Sequence, residues 1–211
     1  MNRLTFSIIA LIISIGSVYA QKSSDAQKLI SDLLTTAKSN AIKTNFSLTN
    51  SEKNAVNSQT GSGTFVIKGN KFVLEMNEMK VWFDGKTQWS YLIENKEVSI
   101  TEPTEKELAE TNPMAILSDY KNKCIIRFSK SKSTQNHIIE MIPKVKNKDF
   151  SKVEVLINKT SGNLTSIKVN TVKGNNTVLT LTNYQKGIKI SDNSFSFDKS
   201  KFKGVSINDL R

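Results

Sequence analysis

The sequence predicts a mainly β fold with some α: a large curved antiparallel sheet or open barrel, with helices at the start and in one insertion. Three observations lead there. An apolar stripe at helical spacing comes early, short alternating runs divided by turn residues fill most of the remaining chain, and one stretch rich in helix formers interrupts them. No turn motif returns at a fixed period, which argues against a solenoid or propeller.

The chain opens with Arg3 and an apolar run from Leu4 to Ile15, then Gly16, Ser17, Val18, Tyr19 and Ala20, ahead of polar Gln21, Lys22, Ser23 and Ser24. That is the three-part layout of a signal peptide, and the run is short for a bilayer span. Residues 1–20 are therefore expected to be removed, leaving 21–211 as one domain. No cysteine follows the apolar run, so a bacterial lipid-attachment site is missing and the mature protein is expected to be free in the periplasm. The sole cysteine, Cys124, lies in a strand-like run and is expected to be buried and inert. With no disulfide to draw on, stability must come from a core.

Ala26, Leu29, Ile30, Leu33, Leu34 and Ala37 recur at three- and four-residue steps and predict the first helix, with Ser24 and Gln27 as a capping box. Past Asn40 the period becomes two. Phe46–Thr49, Thr64–Lys68 and Lys71–Met76 read as strands, the last two joined through Lys68-Gly69-Asn70. Val81–Phe83 and Gln88–Ile93 follow, with Asp84-Gly85 expected as a two-residue hairpin turn, and Glu97–Ile100 adds another strand. Thr101–Tyr120 breaks the pattern. Thr104–Glu110 is rich in helix formers, and Asn112-Pro113 suits a cap followed by a first-turn proline. Strands resume at Cys124–Phe128, Ile138–Ile142, Val153–Ile157, Leu164–Val169 and Val178–Tyr184.

The full chain carries a net charge of +11; losing residues 1–20 removes only Arg3, leaving 29 basic against 19 acidic residues, or +10. The lysines are spread, as in Lys130/Lys132, Lys144/Lys146/Lys148 and Lys199/Lys201/Lys203, without interleaved aromatics. A solvated face explains them, and nucleic acid is not an expected partner. Their diffuse field would still attract anionic lipid headgroups or an acidic partner. The chain offers little for catalysis. Its one histidine, His137, sits on a predicted strand, no Gly-x-Ser-x-Gly elbow occurs, and Gly61-Ser62-Gly63 leads into a strand rather than a phosphate-binding helix. One histidine and one cysteine do not make a zinc site, and Glu102, Glu105, Glu107 and Glu110 are better read as helix-start charge. No enzyme activity, cofactor or metal is expected.

Several blocks, in order, resemble the LolA family of periplasmic lipoprotein carriers: Phe46 after the first helix, Gly63–Lys68, Phe72, and the central run Asp84–Tyr91, Glu97-Val98 and Asn112–Leu117. Phe195-Ser196-Phe197 and Gly204–Asp209 match at the end. The resemblance implies an incomplete antiparallel β-barrel whose concave face is covered by a helical lid. It also implies a monomeric chaperone that accepts acylated lipoproteins from an inner-membrane release transporter and passes them to an outer-membrane acceptor. Family members commonly carry an arginine just after the lysine of the Gly63–Lys68 block, where it ties barrel to lid. This chain has Gly69 there.

Burying an acyl chain is favourable by about 0.8 kcal/mol per methylene, so a carrier needs an apolar hollow that can also release its contents. Alternation places Phe65 with Ile67, Phe72 with Leu74 and Met76, and Trp89 with Tyr91 and Ile93 on shared faces. With Phe46, these are the expected acyl-chain residues. Met114, Ile116 and Leu117 on the inserted helix are the expected lid. Val66, Val73 and Leu92 on the opposite faces are apolar too, which predicts a sheet covered on both sides. The same aromatics would also serve as an ordinary core, and a carrier of another amphiphile or an extracytoplasmic hydrolase are the competing functions.

Overall fold

The computed structural model describes residues 23–51 and 58–211; side chains at 58–60 and 109–111 are not described. The segment read as a signal peptide, with its cleavage site, lies outside the described residues.

Helix α1 (23–39) buries the predicted stripe of Ala26, Ile30, Leu33, Leu34 and Ala37. It is already helical at Ser23, so Ser24 lies within the helix and not at its cap. Ser23 instead donates its hydroxyl to the carbonyl of Ile126, 3.0 Å away.

The strands are β1 (Ile42–Ser51), β2 (Ser58–Lys68), β3 (Lys71–Met76), β4 (Met79–Phe83), β5 (Gln88–Leu92) and β6 (Glu97–Thr101). Helices α2 (Glu105–Thr111) and α3 (Pro113–Lys123) form the insertion, followed by β7 (Cys124–Phe128), β8 (Asn136–Pro143), β9 (Phe150–Asn158), β10 (Leu164–Thr171), β11 (Asn176–Lys186) and β12 (Ser206–Asp209). All belong to one sheet, ordered β12-β6-β5-β4-β3-β2-β1-β11-β10-β9-β8-β7. The curved, incompletely closed antiparallel sheet expected from the sequence is present. Its exception is β12, which pairs parallel to β6. This strand escaped the sequence reading because four residues are too few to display alternation.

Strand β1 sits near the centre because it pairs with both β2 and the distant β11. The β1–β11 pairing is bulged between Lys43 and Asn45. There the Thr44 hydroxyl donates to the Thr182 carbonyl at 2.7 Å, so a buried polar side chain is satisfied.

Two turns have identifiable local causes. Gly69 and Asn70 form the β2–β3 turn, with Gly69 at φ +65 and its N–H donating to the Ala37 carbonyl near the end of α1. A residue with a Cβ is strained in that conformation, which accounts for glycine at this position. The β4–β5 connection differs from the expected two-residue turn. Phe83 pairs with Gln88, leaving four residues between them, and Asp84 Oδ1 accepts from the N–H groups of Lys86 and Thr87. A carboxylate that satisfies two loop donors favours the longer loop.

Register divides the side chains into two faces. Phe65 pairs with Leu74, Ile67 with Phe72 and Phe72 with Phe83, all on the concave face that α1 and the α2–α3 insertion cover. Val73 pairs with Trp82 and Trp82 with Trp89 on the outer face. The chain after β11 returns across that outer face. Its two short 3-10 turns, Asp192–Phe195 and Lys199–Lys201, carry Phe197 and Phe202 against the Trp82 ring at centroid distances of 5.6 and 5.7 Å. Farther along, the outer face carries a charged cluster: Glu140 pairs with Arg127 at 3.1 Å and Lys152 at 3.4 Å, and Lys152 with Glu154 at 3.1 Å. Partial burial pushes the Glu140 carboxyl up, but the bonds from Arg127, Lys152 and Ser129 outweigh this and hold it below its ordinary value.

Candidate functional site: a covered apolar cavity

A cavity of about 320 Å³ lies between the concave face and the α2–α3 junction. From the sheet it is lined by Phe46 and Leu48 of β1, Phe65 of β2, Leu74 and Met76 of β3, Ile167 and Val169 of β10, and Thr177, Leu179 and Leu181 of β11. Asn112, Pro113 and Ile116 form its cover. Register explains the convergence. Phe46 pairs with Leu181 and Leu48 with Leu179, while Ile167 and Val169 pair with Leu179 and Thr177. Each residue is every second one on its strand, so a single face supplies the lining.

Glycine makes room at the floor. A Cβ on Gly63 would collide with the Glu75 carbonyl oxygen and lie 3.1 Å from the Phe46 ring, so strands β2 and β3 can approach there only without a side chain. The lining carries no charged residue; Asn112 and Thr177 are its polar members. Such a space favours apolar occupants.

The cover is built by local capping. Thr104 accepts from the Glu107 N–H while the Glu107 carboxylate accepts from the Thr104 N–H, a complete capping box on α2. Hydrogen bonds from the Thr104 N–H and hydroxyl hold the Glu107 carboxyl below its ordinary value. Asn112 ends α2 and caps α3, its Oδ1 accepting from the Met114 N–H at 2.9 Å, with Pro113 in the first turn as expected. Met114 and Leu117 anchor α3 in the core. Tyr120 stacks on Phe150 of β9 at 4.4 Å and fixes the far end.

Of the expected acyl-chain residues, Phe46, Phe65, Leu74 and Met76 line the cavity, and of the expected lid residues Ile116 does. Ile67 and Phe72 are on the same face but are packed into the core, as are Met114 and Leu117. Trp89 and Tyr91 are elsewhere: both lie on the outer face, where Tyr91 meets Phe202 at 4.9 Å. Ile93 is in the β5–β6 turn and 42% exposed. Their shared parity was legible, but which face it was depended on the register between strands. Leu48, Ile167, Val169, Leu179 and Leu181 went unassigned, although the alternation of β10 and β11 could have marked them.

Other groups have quiet surroundings. His137 packs its ring 5.6 Å from Phe128. Cys124 is buried, and burial raises its thiol above the ordinary value. Among the described residues, no group of three or more His, Cys, Asp or Glu side chains is gathered as for a metal ion. No described helix is long and apolar enough to cross a membrane.

A single open sheet curved around an apolar cavity, with an N-terminal helix and a short helical cover, is the LolA-like fold. Residues 16–177 match the family described as Outer membrane lipoprotein carrier protein LolA, and the chain belongs to that family. Among curated proteins no sequence matches it significantly. Among solved structures, an uncharacterized conserved protein from Thermus thermophilus is 9% identical, with 88% of this chain and 99% of that one covered at a TM-score of 0.59. A DUF1329 family protein from Desulfovibrio piger is 13% identical, covering 86% and 99% at a TM-score of 0.47. A LolA superfamily protein from Nitrosomonas europaea is 10% identical, covering 82% and 98% at a TM-score of 0.42.

Proposed function

We propose that this protein is a non-enzymatic periplasmic carrier that holds the acyl chains of lipoproteins in the covered cavity while they pass from the inner to the outer membrane. The observation that supports this most is the uncharged lining joining Phe46, Phe65, Leu74 and Met76 to Leu179 and Leu181 beneath Ile116. The family description, an outer membrane lipoprotein carrier, supports the cargo class; on this reading the donor is an inner-membrane lipoprotein-release transporter and the recipient an outer-membrane acceptor. The signal-peptide layout of residues 1–20 supports export, and the family arginine's gating role passes to other contacts. Lys68 and Lys71 do not fill it, since both pair with Asp192 on the outer face. The contacts available to hold the cover are the Tyr120–Phe150 stack and the seats of Met114 and Leu117.

Native mass spectrometry of protein purified from its own periplasm tests the reading, with co-purified acylated protein as the expected result. The lining has no charged group to recognise polypeptide, which favours a second reading in which another amphiphile is carried. Free lipid without acylated protein would select that reading. Acyl-ester hydrolysis lost in His137→Ala would contradict both.

A further inference from the structure

We infer that the loop between β8 and β9, with the turn between β10 and β11, is a docking surface for an anionic lipid bilayer, placed beside the cavity. The two segments are adjacent, since the Val172 N–H donates to the Asp149 carbonyl at 3.2 Å. Each carries an exposed valine: Val145 is 80% and Val172 52% accessible. One exposed valine means little, but two on adjacent segments present apolar surface that water does not favour. Around them stand Lys144, Lys146, Lys148 and Lys173, and the adjoining groove adds Lys106 and Lys123, against the acids Glu105, Asp119 and Asp149.

Basic residues flanking short apolar tips suit the bilayer boundary. The valines enter the headgroup layer while lysine stems lie along it with their ammonium groups among the phosphates. The loops are held in shape for this. The Lys144 N–H and Nζ donate to the carbonyls of Lys123 and Asn122 at the end of α3, and Asn147 Oδ1 accepts from the N–H groups of Asp149 and Phe150. A groove of about 1060 Å³ runs from the β8–β9 loop to α2 and α3, and it shares Ile116 and Val169 with the apolar cavity. Docking at the tips therefore sets the groove that adjoins the cavity's wall at Ile116 and Val169 beside the membrane. The argument for docking rests on charge and exposure, independent of what the cavity carries.

The test is co-sedimentation of the purified protein with vesicles of phosphatidylglycerol plus phosphatidylcholine, and of phosphatidylcholine alone. Binding is expected to the anionic vesicles and to weaken steeply as salt approaches ~1 M. Joint replacement of Lys146, Lys148 and Lys173 by Gln is expected to weaken it by roughly a hundredfold. Val145→Asp with Val172→Asp should weaken it by about tenfold or more. The lysine variant and the salt titration both read the proposal if the aspartate variant does not fold. Equal binding to the two vesicle types, no binding, or binding unchanged in folded variants would overturn it. An acyl-probe titration without vesicles separates this outcome from failure of the carrier reading, because docking variants leave the cavity lining untouched.

Discussion

Tyr91 of β5 and Phe202 of the returning C-terminal segment lie with ring centroids 4.9 Å apart, at an interplanar angle of 63°. Phe202 also meets Trp82 at 5.7 Å and Phe197 at 5.0 Å, so one aromatic cluster fastens the segment to the outer face. Phe202→Ala is expected to cost about 2–3 kcal/mol, below the figure for a wholly buried phenylalanine because Phe202 is half-buried. Thermal unfolding measures this. Acyl-probe affinity should stay within about twofold (~0.4 kcal/mol) of the parent, since the cluster and the cavity are on opposite faces.

Ile116 and Leu117 are consecutive on α3 but perform different tasks. Ile116 lines the cavity, whereas Leu117 is fully buried in the core. Ile116→Asp is expected to weaken acyl binding about tenfold or more by placing a carboxylate on an apolar wall, with a small change in stability. Leu117→Ala should cost about 2–5 kcal/mol in denaturant unfolding. Comparable behaviour of the two variants in both assays would contradict this division.

Gly69 is held at φ +65 while its N–H bonds to Ala37. Gly69→Ala is expected to lower stability by about 1–2 kcal/mol, measured by urea unfolding, with the β2–β3 turn strained rather than sterically blocked. Gly69→Arg should do at least as much damage and should not create a tie between sheet and cover.

Asp192 receives Lys68 Nζ at 2.7 Å and Lys71 Nζ at 2.9 Å, and hydrogen bonds from these two ammonium groups hold its carboxyl at about 2, below its ordinary 3.8. Because the folded value is the lower one, the contact is complete above 3.8 and is lost as pH falls toward about 2. Tryptophan emission followed through that window should report loosening of the segment over Trp82. Asp192→Asn is expected to remove this acid-dependent step, and an unchanged step would argue against it.

Strand and helix identity was legible in this sequence because period-two runs and one helical stripe rarely overlap. Asn112-Pro113 was readable as a cap from residue type alone. The cavity was only half legible. Phe46, Phe65, Leu74 and Met76 declare a shared face locally, but their partners Leu179 and Leu181 come from β11, joined to β1 across more than a hundred residues of chain. Trp89 and Tyr91 look like cavity residues by composition. Only the register through Trp82 reveals that they point outward. No local pattern could have shown that the C-terminal segment folds back to cover them.

The most direct measurement is calorimetric titration of an acylated lipoprotein peptide, alongside its unacylated form, into the parent protein and a Leu179→Trp variant that fills the cavity between β1 and β10. Binding that requires the acyl chain and falls about tenfold or more in the filled variant is expected. Equal affinity for both peptides, or acyl-dependent binding that Leu179→Trp leaves intact, would contradict the assignment of this cavity as the cargo site.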